Sequence, residues 1–74
     1  MEVQAQVRHY NRVDDEVSVR EHRHSIRAGH IRQAERSIRS QDPKRVARYI
    51  AFKIFVGDDV DDFEIVGDPV IVGR

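Results

Sequence analysis

Leucine, ordinarily among the commonest residues of a soluble domain, is absent from this chain, and so are cysteine, tryptophan and threonine. Without cysteine there is no disulfide framework and no thiolate for zinc or redox chemistry. The first twenty residues hold no apolar run of the signal-peptide kind, and no stretch approaches the length of a membrane span. The expected location is therefore the cytoplasm, with no membrane partner. No glycine-rich phosphate loop is present, and Ser18, Ser25, Ser37 and Ser40 all lack the glycine-flanked elbow of a serine nucleophile. The expectation is a non-enzyme with no catalytic residue and no cofactor.

What stands in for leucine is β-branched. Eleven valines and seven isoleucines account for most of the 29 hydrophobic residues among the 74. Such side chains fit a pleated, half-buried surface and lose rotamer freedom in helices, so a sheet-dominated α+β domain is expected. The length allows one domain over residues 1–74. A chain this short buries only about 60% of the surface its unfolded form exposes, which leaves little core to spare for a deep cleft.

Formal net charge is zero, but the charges are not mixed evenly. Residues 1–56 carry twelve Lys or Arg against seven acids, and residues 57–74 carry one Arg against six acids. A body of net +5 is thus joined to a C-terminal segment of net −5. Overall neutrality argues against a general nucleic-acid coat protein, which is usually basic throughout.

Along the chain, Val3, Ala5 and Val7 alternate with polar residues, the period of a half-buried strand. Asn11 to Glu16 reads as a turn, and Val17 and Val19 resume the alternation. This gives an antiparallel hairpin over 2–9 and 16–27. Its second strand turns polar on both faces through Glu21-His22-Arg23-His24, as edge strands do. Ile31, Ala34 and Ile38 recur at helical spacing, so one helix is expected over 30–40, with Gly29 as N-cap and Asp42-Pro43 as the stop. The apolar run from Val46 to Val56 is expected to form the central strand. Gly57 to Asp62 reads as a turn, followed by short strand pieces at 63–66 and 70–72 that Gly67-Asp68-Pro69 separates. The expected fold is a small antiparallel sheet in the order β-β-α-β-β, with one helix packed on one face.

Two charged surfaces are candidate binding sites. On the helix, Arg32, Arg36 and Arg39 fall within roughly 60° of one another and away from the apolar face. A guanidinium fork binds phosphate or carboxylate in bidentate fashion, though a solvated face written in arginine would look the same. The second surface is an acidic hairpin of Asp58, Asp59, Asp61, Asp62 and Glu64. It lacks the alternating acids, central glycine and distal glutamate of a calcium loop, and aspartates at a turn commonly bond their own backbone. His22 and His24 point to one side of a strand. With His30 they would make three imidazoles, but no carboxylate or thiolate stands at a metal-ligand spacing, so no metal site is expected.

The run Ser25-Ile26-Arg27-Ala28-Gly29-His30-Ile31-Arg32-Gln33-Ala34-Glu35-Arg36-Ser37-Ile38-Arg39, then Arg48-Tyr49-Ile50-Ala51-Phe52-Lys53-Ile54, resembles small phage-encoded or mobile-element proteins with a β-β-α-β core, anti-CRISPR inhibitors among them. The resemblance covers about half the chain, roughly residues 17–56, and transfers no functional residue. It implies an inhibitor that docks on a host protein or ribonucleoprotein, with the acidic hairpin mimicking phosphates or the arginine stripe meeting an acidic patch. The alternative is direct nucleic-acid binding through the stripe with Arg23, Arg27, Arg45 and Arg48. A third reading is an oligomer, a homodimer for instance, in which the basic body of one copy meets the acidic hairpin of the next.

Overall fold

A computed structural model describes residues 1–73 and shows a small α+β arrangement. Strands β1 (Glu2–Asn11) and β2 (Glu16–Ser25) are followed by helices α1 (Ala28–Ile38) and α2 (Pro43–Ala51), and the chain returns as β3 (Phe63–Val72). The sheet is antiparallel throughout, in the order β2-β1-β3. The first strand is therefore the central one. Its alternation is the reason: Val3, Ala5 and Val7 are 0%, 5% and 1% exposed and form the floor of the core. Ile31 and Ala34 of α1 close over them with Val46, Ile50 and Ala51 of α2. β2 contributes no buried residue and lies at the edge, as its polar pattern predicts.

The expected β-β-α-β-β order is corrected to β-β-α-α-β, with two α-helices and three strands among the described residues. The segment 46–56 is helix α2 and a π-helical continuation, Phe52–Val56, in place of a central strand. Val46, Ala47, Ile50 and Ala51 all sit on one helical face and are all buried. Phe52, which a central strand would have covered, is 45% exposed. Asp42-Pro43 decides the matter. The Asp42 carboxylate accepts the Lys44 amide at 3.1 Å as an N-cap, and Pro43 occupies the first turn, where its missing N–H costs nothing. The pair read as a stop is the start of the next helix.

Two further corrections follow. α1 begins two residues earlier than the Gly29 cap implied, with Arg27 as N-cap, and ends at Ile38 with Arg39 in the left-handed region. Residues 57–73 do not form a hairpin. Gly57–Asp62 is a turn, and 63–72 is one continuous strand in which Gly67, Asp68 and Pro69 bulge opposite Ala5. The bulge suits a proline on an edge strand.

Candidate binding surfaces

On α1 the burial of Ile31 and Ala34 sends Arg32 and Arg36 to solvent, as the periodicity requires. Arg39 is exposed too, but its backbone (φ 53°, ψ 45°) has left the helical ladder, so the expected straight stripe bends at its last member. The three arginines, with Glu35, Ser40 and Gln41, line a shallow depression of about 720 Å³. Among the described residues none of the three arginines makes an ion pair within 4 Å. Arg36 in the last turn also complements the negative end of the helix dipole.

The acidic segment is differently placed. Backbone bonds from the Asp62 and Phe63 amides to the Asp59 carbonyl (3.1 and 3.0 Å) hold it as a tight turn. Arg12, in the β1–β2 turn, reaches across to Asp62 (2.8 Å) and Asp61 (3.9 Å). Arg8 of β1 meets Glu64 at 3.6 Å, and Arg48 of α2 meets Asp68 at 3.0 Å. Of the five acids singled out, only Asp58 and Asp59 have no ion pair among the described residues. The sequence separation of fifty residues between Arg12 and Asp62 hides this neutralisation from any local reading.

Nor are the other arginines gathered into one patch. Arg23 is paired with Glu21 at 3.2 Å on β2 and Arg48 with Asp68, while Arg27 stands at the N-cap position of α1 with no side-chain cap bond. The histidines do not converge either. His22 meets Phe55 edge-on at 5.5 Å, the His24 ring Nδ1 donates to the Ser25 carbonyl at 2.8 Å, and His30 Nδ1 accepts the Arg27 amide at 2.9 Å. No group of three or more ligating side chains is assembled among the described residues.

Three features escaped the sequence reading. Tyr49 of α2 lies by the Ser37 hydroxyl of α1 and by Lys53, and these two neighbours, Ser37 first, hold its phenol below the ordinary tyrosine value. Tyr10 donates to the Asp15 carboxylate, which favours the neutral phenol and raises it. A groove of about 580 Å³ runs beside β3, where Phe52 and Val60 stand exposed near Arg48 and Ile65. The Tyr49 contact and the groove depend on which elements are neighbours, and the Tyr10–Asp15 bond on the conformation of the β1–β2 turn.

No helix among the described residues is long and apolar enough to cross a membrane. Comparison with protein-family models, with curated proteins and with solved structures gives no match.

Proposed function

We infer that this chain is a small non-enzymatic binding module whose contact surface is the arginine face of α1 and whose partner is a nucleic-acid backbone. The observation that carries the reading is the asymmetry of pairing. Asp61, Asp62 and Glu64 are occupied by Arg12 and Arg8, whereas Arg32, Arg36 and Arg39 have no carboxylate within 4 Å among the described residues. An acidic surface already answered by its own arginines is a poor phosphate mimic. Guanidinium groups with no ion pair among the described residues, toward the C-terminal end of α1 and beside an open depression that Glu35 also lines, suit phosphate oxygens.

Docking on a host protein or ribonucleoprotein, the mode that the sequence resemblance implies, becomes the second reading. Its support is the pair Asp58 and Asp59, which keep their charge exposed at the tip of the turn.

Salt decides between them. Binding that neutralises three phosphates should show a slope of log affinity against log salt near −2.7, or roughly a fortyfold loss between 50 and 200 mM. Fluorescence anisotropy with a labelled duplex and a labelled single strand measures it. Reversal of all three arginines to Glu should abolish the salt-dependent binding and leave the circular dichroism spectrum unchanged. Retention of full affinity by that variant would defeat the assignment.

A further inference from the structure

The helix-bearing face of the sheet is not covered across its whole width. Helix α2 lies over β1 and β3, while β2 packs chiefly along β1 and meets the π-helical segment where His22 touches Phe55. The register puts Glu16, Ser18, Arg20 and His22 of β2 opposite Asn11, His9, Val7 and Ala5 of β1. Val7 and Ala5 point into the core, so these β2 side chains share the helix side. A trough of about 410 Å³ lies there, with Ser18, Arg20 and His22 on one flank and His9 and Phe63 on the other.

One row of this face runs Phe63–His9–Ser18 across β3, β1 and β2. The Phe63 and His9 rings are stacked, with centroids 4.4 Å apart and planes within 7°. That spacing is close to the ~4.8 Å between neighbouring strands, so both rings stand upright, side by side, on adjacent strands. The next place in the row belongs to β2 and holds a serine. Ser18 supplies a hydroxyl where a third ring would stand, and leaves a slot against the open face of His9. Toward α1 the slot is bordered by Arg20, which has no ion pair among the described residues. Toward the β1–β2 turn it meets Glu16 and Asn11, whose side-chain amide is committed to Asp14 (3.2 Å) and to the Val13 amide (2.9 Å).

We propose that this slot binds the base of a nucleotide, stacked on His9 as the third ring of the row, with its phosphate at Arg20. The rim selects a nucleobase over a plain aromatic side chain. Ser18 and Glu16 offer a donor and acceptors to ring heteroatoms, and the charge of Arg20 answers a phosphate next to the ring. The inference deepens the nucleic-acid reading by adding a base-reading element away from α1, and it predicts a preference for single strands, whose bases are free to stack.

The test uses adenosine monophosphate and the isotope-labelled protein, followed by nuclear magnetic resonance. Saturable shifts of the His9 and Phe63 ring signals and of the Ser18 and Arg20 amides are expected. Ser18→Phe fills the slot with the chain's own ring and should weaken binding at least about tenfold, the scale of one lost stacking contact. Should that variant not fold, His9→Ala removes the platform instead and is expected to do the same. Arg20→Ala should weaken the monophosphate while leaving adenosine unchanged. The triple Arg32, Arg36 and Arg39 reversal should keep the mononucleotide shifts, so failure of the slot and failure of the α1 face are separately visible. Absence of saturable shifts would overturn the proposal, as would undiminished binding by Ser18→Phe and His9→Ala. So would shifts of the same signals by N-acetyltyrosinamide but not by the nucleotide, which would assign the slot to an aromatic side chain of a partner protein.

Discussion

Arg39 serves two ends that pull against each other. Its backbone sits at φ 53°, ψ 45°, where the Cβ of an L-residue crowds the following carbonyl, while its guanidinium completes the arginine face. Glycine takes the same conformation without that clash and is the residue most often found there. Arg39→Gly is therefore expected to raise stability by ~1 kcal/mol, or several degrees in a thermal melt, and at the same time to weaken duplex binding. A variant with an unchanged melting temperature would show that the strain is relieved elsewhere. The two tyrosines give a second test. Ser37 and Lys53 lower the Tyr49 phenol, and Asp15 raises that of Tyr10. An alkaline absorbance titration should thus show two steps, Tyr49 first. Ser37→Ala should move the lower step up and leave the upper one in place. The linked stabilities run in opposite directions. The contribution of Tyr49 is present above its unfolded pKa and lost as pH falls through its depressed folded value. That of Tyr10 is complete below its unfolded pKa and lost as pH rises through its raised folded value. Both tyrosines are only half-buried, so these contributions are small.

α2 is the element on which the fold turns, and the one that composition disguises. Val46 is fully buried, and Ala47 and Ala51 let the helix approach the sheet closely. Val46→Asp places an unpaired carboxylate in that contact and should unfold the domain, whereas Arg45→Glu, on the exposed side, should leave the melt nearly unchanged. Asp42→Ala removes the cap and is expected to cost about 1 kcal/mol in a denaturant titration. The first half of the fold was legible in the residues themselves. Val3, Ala5 and Val7 alternate because one face of β1 is buried, β2 loses its pattern because it lies at the edge, and Ile31 and Ala34 face inward on α1. The segment 46–56 was not legible, because a short aliphatic run satisfies a strand and a helix alike. Asp-Pro is likewise both a stop and a start signal. The exposure of Arg32 and Arg36 followed from helical period alone. The pairing of Arg12 with Asp61 and Asp62, and the row Phe63–His9–Ser18, depend on which strands are neighbours, and no local pattern records that.

At the scale of the whole molecule, a chain of zero net charge presents two unlike regions. Its extents of 39 × 22 × 18 Å reflect ten-residue strands, each ~33 Å long, that outrun a nine-residue helix of ~14 Å. The β1–β2 turn projects with the strands, and Arg12 ties it to the acidic turn at Asp61 and Asp62. Those pairs are largely solvent-exposed, so each contributes little to stability. Their greater effect is on the field: they cancel much of the acidic segment and occupy a cation that would otherwise attract phosphate. Changing Asp58, Asp59, Asp61 and Asp62 to Asn removes four negative charges, taking the net charge from 0 to +4, and frees Arg12. If the arginine face of α1 binds nucleic acid, this variant should bind a duplex more tightly than the parent chain at 150 mM salt. Its salt dependence should also steepen by about 0.9 for each further phosphate that the released arginine reaches. A phosphate-mimicking inhibitor would respond in the opposite sense, losing its protein partner while gaining no more than weak affinity for DNA or RNA. The sign of the change in anisotropy-measured affinity separates the two. An acidic turn that repels the ligand gives a gain, and an acidic turn that is the contact surface gives a loss.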